Sequence, residues 1–169
     1  MNEAGNDIKR AAGSENLCRR VEEIYEEADR RIGQSDVSCR QCGGCCRFEE
    51  SEQNLMASTL EAGYLLAWLR EQDGEVLKAL SVGTDSTARV CPFLAEDVCL
   101  AREGRSLGCR VFFCQAERQG PERMAEVYEL LHEQLKILHG QAEISYRYFA
   151  WEEVIQAVKE LLQANQVKS

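Results

Sequence analysis

Residues 58 to 71 read STLEAGYLLAWLRE, a stretch that contains the longest unbroken apolar run of the chain, Tyr64 to Leu69. The letters S-T-L-E form a capping box, in which the Ser58 hydroxyl accepts a hydrogen bond from the amide three residues later and the Glu61 carboxylate accepts one from the Ser58 amide. The stretch therefore predicts a helix that begins after Ser58 and ends at about Glu71. Its apolar run is far shorter than the roughly 20 residues that a membrane-spanning helix needs, so we expect no membrane partner.

Helical periodicity continues on both sides of this stretch. Apolar residues at steps of three and four fall on one stripe of a helix. Four further stripes are present: Leu17 to Ile32, ending near Gly33; Val76 to Leu80, after Asp73; Met124 to Leu138, opened by Pro121 and closed by Gly140; and Trp151 to Leu162. Between the last two, Ile144, Tyr146 and Tyr148 recur with the period of two that is typical of a short extended segment. The predicted fold is a mainly α, small helical domain.

Two stretches, Gln34 to Asn54 and Ser81 to Gly120, lack such periodicity, yet they contain eight of the nine cysteines. They are long for connections within a compact domain, where structureless loops beyond about 15 residues are uncommon. A chain of 169 residues buries enough surface to fold without disulfides, so the cysteines need another explanation. Metal ligation explains both observations, because ligand bonds order backbone that has too little apolar surface to order itself.

The first stretch contains the run Cys39-Arg-Gln-Cys42-Gly-Gly-Cys45-Cys46, with the spacing C-x2-C-x2-C-C. Two intervening residues let the chain turn around a metal with both sulfurs facing inward, and the two glycines, Gly43 and Gly44, can adopt positive φ so that backbone amides approach the sulfurs. Adjacent side chains point to opposite sides of extended backbone. Cys45 and Cys46 are therefore expected either to serve two metal centres or to include one residue that is not a ligand.

The second stretch spaces its thiols as Cys91-x7-Cys99-x9-Cys109-x4-Cys114. The eight thiols together can form two zinc sites of four thiolates each, or one iron–sulfur cluster held by four cysteines with a second group of four. Both metals accept tetrahedral thiolate surroundings, so the spacing leaves zinc and iron open. The predicted metal ligands are Cys39, Cys42, Cys45, Cys46, Cys91, Cys99, Cys109 and Cys114.

Three segments together resemble the YkgJ family of cysteine-cluster proteins, also called the CxxCxxCC zinc- or iron-chelating domain: CRQCGGCC at Cys39, CPFL at Cys91 followed by Cys99, and RSLGCRVFFC ending at Cys114. The resemblance covers somewhat under half of the chain and departs from the family pattern at Ser106, where the family has proline. It implies a bacterial protein with an iron–sulfur cluster, of the 4Fe-4S type, or zinc. Flagellin lysine N-methylases carry a similar domain, which implies a tie to methyl transfer.

Six arginines lie near the thiols in sequence: Arg40, Arg47, Arg89, Arg102, Arg105 and Arg110. A guanidinium group stays ionised and carries several N–H donors, so these side chains can offset thiolate charge and donate hydrogen bonds to sulfur. A site for an anionic substrate is the alternative. Arg105 and Arg110 are the candidate cofactor-binding residues among them.

The remaining candidates have ordinary interpretations. Four aromatic side chains are expected to shield the metal from water: Phe48, Phe93, Phe112 and Phe113. Cys18 is expected to be a packed thiol, and His132 and His139 are expected to be solvated histidines at the border of a helix stripe.

The charge balance limits the partners. Lys and Arg number 20 and Asp and Glu number 29, a formal net charge of −9, which argues against nucleic acid because phosphate backbones are bound through Lys and Arg. The first residues show no apolar signal segment, and clustered thiols are typical of the reducing cytoplasm, so a cytoplasmic location is expected.

These inferences predict a flexible N-terminus at residues 1–14 and one metal-binding domain at residues 15–165, with the cysteine cluster at 39–114 and a C-terminal helical part at 121–165. The expected function is an iron–sulfur protein with an electron-transfer role or an accessory role in redox or methyl-transfer chemistry. The alternatives are a zinc-stapled, non-catalytic module that binds a protein partner, and a metallochaperone. Whether the chain is an enzyme is left open.

Overall fold

The computed structural model describes residues 3–40, 42–48, 55–81, 90–113 and 120–166. Helices dominate these residues, which confirms the predicted mainly α fold. None of the helices in these ranges is long and apolar enough to cross a membrane. In chain order the elements are α1 (Glu3–Ala12), α2 (Glu15–Gly33), a 3-10 turn (Gly44–Cys46), β1 (Met56–Ser58), α3 (Thr59–Arg70), α4 (Gly74–Ser81), β2 (Leu94–Ala95), β3 (Val98–Cys99), α5 (Leu107–Val111), α6 (Pro121–Ala142), β4 (Tyr148–Ala150) and α7 (Trp151–Gln166).

Helix α3 lies at the centre of the fold, because side chains on all its sides are buried. Helices α1, α2 and α7 pack against it. The predicted capping box is present: the Ser58 amide donates to Glu61 Oε2 at 2.6 Å, and the Glu61 amide donates to Ser58 Oγ at 3.5 Å. A helix that is apolar all round is expected in a protein interior, so this segment organises the packing of the others.

Two hydrophobic cores meet at α3. One includes Leu65 of α3 and Trp151 of α7, together with Phe93 and Cys91 from the second cysteine-rich stretch. The other combines α2, α3 and α6 around residues such as Tyr25. The cysteine-rich stretches therefore extend one of the helical cores.

The N-terminus differs from the prediction of a flexible segment, since Glu3–Ala12 forms helix α1. Its buried apolar face consists of Ala4, Ile8 and Ala11, which are mostly small residues. This face packs on α3 at Gly63, where an added Cβ would lie 2.4 Å from the Ala11 Cβ. The close approach of the two helices requires a glycine and compensates for the small side chains of α1.

The segment before α7 also differs in detail. Helix α6 continues past Gly140 to Ala142 and ends at Glu143, which has a φ of 52°. The predicted extended segment is present as β4, which begins only at Tyr148 and pairs antiparallel with β1. This two-stranded sheet joins the beginnings of α3 and α7, the two helices that pack beside the cysteine-rich stretches.

Candidate metal centre

A cavity of about 40 Å³ lies where the two cysteine-rich stretches meet. Its lining includes six cysteines present as thiols: Cys39, Cys45, Cys46, Cys91, Cys99 and Cys109. Organic ligands typically occupy sites of roughly 300–1,000 Å³. The cavity is therefore of a size that suits an ion or a small inorganic group.

The first stretch enters the cavity through a sharp turn. Gly43 adopts a φ of 67°, as predicted for a glycine at this turn, and the chain then forms the 3-10 turn Gly44–Cys46. An added Cβ at Gly43 would lie 2.6 Å from a methyl carbon of Leu94, so the position has no room for a side chain. Because the backbone is turned and not extended, Cys45 and Cys46 line the same cavity, and the predicted division between opposite sides is not observed.

The second stretch is joined to the first by backbone pairing. Arg47 and Val90 form an antiparallel bridge, and the Cys91 amide donates to the Cys46 carbonyl oxygen at 2.8 Å. Strands β2 and β3 follow as a hairpin with a two-residue turn, and Asp97 in that turn forms an ion pair with Arg47 at 2.5 Å. Both turn residues have positive φ, which suits the right-handed twist of the hairpin.

Helix α5 carries Cys109 to the cavity. Ser106 is its N-cap, and its Oγ accepts a hydrogen bond from the Cys109 amide at 3.3 Å. The carboxylate of Glu61 is fully buried and accepts from the Leu107 amide at 2.8 Å and from the Tyr25 hydroxyl at 3.3 Å. Burial raises the pKa of Glu61, although these hydrogen bonds act in the opposite direction. Ser106, where the resembling family has proline, thus begins the helix by capping it.

Arg105 and Arg102 line the cavity, whereas Arg110 does not. The Arg110 guanidinium donates to Asp29 Oδ2 at 2.5 Å and to the Glu103 carbonyl at 2.6 Å, and it lies 4.4 Å from the centre of the Tyr25 ring. Protein groups accept these hydrogen bonds, and they connect α5 to α2. The predicted cofactor-binding role of Arg110 stays a prediction.

Four of the cavity thiols, those of Cys45, Cys46, Cys99 and Cys109, have raised pKa values. Burial raises the pKa of Cys109 to about 12 and also raises the pKa of Cys99. The pKa of Cys45 is raised mainly by a hydrogen bond with Cys46 and also by burial of the thiol. For Cys46, a hydrogen bond with Cys45 lowers the pKa, but a hydrogen bond with Cys91 and burial outweigh it. A cation bound here must therefore displace protons from the thiols.

The cysteines converge without forming a ready ligand set. In the part of the chain that the structure describes, no three His, Cys, Asp or Glu side chains form a group that could hold a metal ion. Cys42 is exposed and is not a lining residue. Cys114, the eighth predicted ligand, lies outside the described residues. Six of the eight predicted ligands thus share one cavity, although their sulfurs are not arranged around a common point.

Side chains around the cavity agree in part with the predicted aromatic shell. Phe48 and Phe93 line it, but Phe112 and Phe113 do not. Trp151, the first residue of α7, also lines the cavity; the sequence marked it only as part of a helix stripe. Its role as a lining residue depends on the pairing of β4 with β1, which no local pattern reveals.

The remaining candidates lie elsewhere. The Cys18 thiol donates to the Ala11 carbonyl at 3.6 Å, as expected of a packed cysteine. His139 is buried, and not solvated as predicted: its Nε2 accepts from the Leu60 amide at 3.4 Å and its Nδ1 lies 3.1 Å from the Ile144 carbonyl oxygen. His132 pairs with the Tyr146 hydroxyl at 2.7 Å. Neither histidine lines the cavity.

Comparison of the chain with protein-family models, with curated proteins and with solved structures found no match. The resemblance of the cysteine pattern to a known family stays a prediction, and the cavity is the feature of the described residues that bears on function.

Proposed function

We propose that this chain is a metal-binding protein that holds an iron–sulfur cluster in its cysteine-lined cavity. The observation that carries the proposal is the convergence of six thiols, from two stretches far apart in sequence, on one cavity. Thiols pack well in apolar surroundings as small hydrophobic groups, but six of them around one small cavity supply the soft donors that iron–sulfur clusters and zinc select.

The surroundings of the thiols support the proposal. The Ala101 backbone lowers the pKa of Cys99 and the Ser106 side chain lowers that of Cys109, against the larger effect of burial. Such partners orient metal ligands and stabilise the thiolate form. Arg102 and Arg105 bring positive charge to the cavity wall, where it offsets the charge of thiolates.

The thiols need only local movement to become ligands. A cysteine side chain moves its sulfur by rotation about χ1 among three staggered positions, without backbone change. The backbone pairing of Cys46 with Cys91 and the cap of α5 hold the main chain in place while the sulfurs rotate. Metal binding is therefore expected to change rotamers of the cavity cysteines more than the fold.

A bound iron–sulfur cluster supplies reversible one-electron transfer. We therefore assign the chain an electron-transfer role or an accessory role in redox or methyl-transfer chemistry. Zinc in the same cavity would instead make the protein a structural module that presents its helices to a partner, or a carrier that gives up its metal.

The test is anaerobic purification of the full chain, followed by analysis of iron, zinc and acid-labile sulfide per folded protein. We expect iron and sulfide together, with visible charge-transfer absorption that bleaches on reduction. Stoichiometric zinc without sulfide would contradict the iron–sulfur cluster and support one of the two zinc functions. The absence of any bound metal would overturn the proposal.

A pair of variants tests the location. Cys109→Ser removes a cavity thiol and should lower the metal content, because a tetrahedral centre that loses a thiolate must take a weaker ligand. Cys18→Ser changes a half-buried thiol outside the cavity, and this variant should have the same metal content as the unaltered chain. Equal metal contents in the two variants would contradict the assignment of the cavity.

A further inference from the structure

Cys46 and Cys91 lie where the two cysteine-rich stretches join. The isolated bridge between Arg47 and Val90 brings the neighbouring residues Cys46 and Cys91 together, and the Cys91 amide donates to the Cys46 carbonyl oxygen at 2.8 Å. Both cysteines line the same cavity.

This placement is compatible with a disulfide. Hydrogen-bonded residues on paired antiparallel backbone have Cα atoms about 5.5 Å apart, within the range of roughly 4.4–6.8 Å found for disulfides, and the backbone hydrogen bond from Cys91 to Cys46 brings these two residues into comparable proximity. Cys45 and Cys46, by contrast, are neighbours whose Cα atoms are about 3.8 Å apart, below that range.

We propose that Cys46 and Cys91 are a redox modification site, which a small-molecule disulfide such as oxidised glutathione converts into a reversible protein disulfide. In the first step the Cys46 sulfur attacks one sulfur of oxidised glutathione. The glutathione disulfide bond breaks, and one glutathione leaves as a thiol that carries the proton lost by Cys46.

The second step closes the protein disulfide. The Cys91 sulfur attacks the Cys46 sulfur of the mixed disulfide, and the second glutathione leaves as a thiol with the proton lost by Cys91. The two cysteines are thereby oxidised by two electrons, and one molecule of oxidised glutathione is reduced to two thiols.

Exposure sets the order of attack. Cys91 is only 4% exposed, whereas Cys46 is half-buried. A molecule as large as glutathione therefore reaches Cys46 first, and Cys91 completes the reaction from inside the cavity.

Regulation of the metal centre by this disulfide rests on the proposed function, because it requires that the cavity bind metal. The disulfide removes two of the six cavity thiols and ties the two stretches together, so the oxidised chain cannot assemble the same ligand set. A bound metal in turn occupies both sulfurs and protects them. The cavity is thus expected to hold either the metal or the disulfide.

The experiment uses the metal-free full chain, reduced and then treated with oxidised glutathione under anaerobic conditions. We expect a peptide map under non-reducing conditions that links Cys46 to Cys91. Cys91→Ser should trap one glutathione on Cys46, whereas Cys46→Ser should leave Cys91 unmodified over the same period. Cys18→Ser, the matched control, should still form the disulfide.

Pairing of Cys46 with any other cysteine, or glutathione bound to Cys91 in Cys46→Ser, would overturn the inference. The peptide map of the unaltered chain decides this even if a variant fails to fold. Metal binding by the reduced chain is measured separately. A chain that binds no metal but forms the Cys46–Cys91 disulfide refutes the proposed function alone, and a chain that binds metal but forms no such disulfide refutes this inference alone.

Discussion

Replacement of Gly63 by alanine is expected to push helix α1 away from helix α3 and to lower the free energy of unfolding. The added Cβ would lie 2.4 Å from the Ala11 Cβ, 3.1 Å from the Ala12 amide nitrogen and 3.2 Å from the Ile8 carbonyl oxygen. Carbon atoms in favourable contact are about 3.5–4.0 Å apart. Two of the three neighbours are backbone atoms, so no side-chain rotation relieves the clash and α1 as a whole must withdraw.

The magnitude follows from two opposing effects. Overpacking a filled contact costs about 1–3 kcal/mol, and alanine in place of a helical glycine returns up to about 1 kcal/mol through reduced backbone entropy of the unfolded chain. The withdrawal also exposes part of Ile8, which is only 2% exposed in the native fold. We expect a net loss of about 1–2 kcal/mol.

Urea unfolding followed by circular dichroism measures this loss, and hydrogen exchange of the α1 amides shows where it acts. Gly140→Ala in α6 is the matched control, because nothing lies within 4 Å of its added Cβ, and it should stabilise the protein by about 0.5–1 kcal/mol. If Gly63→Ala were as stable as Gly140→Ala, with α1 amides exchanging at the native rate, the close contact between α1 and α3 would be refuted.

Three further predictions concern polar groups. Ser106→Ala removes the cap on the Cys109 amide and should lower the free energy of unfolding by about 1 kcal/mol in urea titrations; an unchanged value would contradict the cap. Arg110→Met should lower stability by about 1–3 kcal/mol through lost charged hydrogen bonds, yet keep the metal content per folded protein; selective loss of metal would support a cofactor role for Arg110. Burial lowers the pKa of His139 in the folded state. As pH falls, His139 is therefore protonated in the unfolded state before it is protonated in the folded state, and its contribution to the free energy of unfolding is lost below about pH 6.5. The stability difference between the unaltered chain and His139→Gln should therefore shrink between about pH 7 and pH 5, and a difference independent of pH would show that His139 does not titrate in this way.

Local signals predicted the central helix well, and contacts between distant residues account for what was missed. The capping box of Ser58 and Glu61 involves atoms three residues apart, so the sequence displays it directly. Helix α1 was missed because its buried face is mostly alanine, and its packing depends on Gly63, some fifty residues away in sequence.

In the candidate site too, local sequence patterns predicted residues, whereas contacts between distant residues were not predicted. The spacing of the cysteines predicted eight ligands, of which six line the cavity and Cys42 does not, but it did not show how the chain brings them together. The 3-10 turn that puts Cys45 and Cys46 in one cavity depends on the backbone after Gly43 and not on residue types alone. The contact of Arg110 with Asp29 could not be predicted, because Asp29 lies 81 residues earlier in the chain, and proximity in sequence to the thiols suggested a cofactor-binding role.

Glu61 accepts two hydrogen bonds that become possible at different times during synthesis of the chain. Its carboxylate caps α3 through Ser58, three residues away, and also receives the amide of Leu107, the first residue of α5. A growing chain can complete the first contact as soon as residue 61 has been made, whereas the second must wait for 46 more residues. The central helix can therefore be in place before the segment bearing Cys109 is synthesised, and that segment finds its acceptor already positioned.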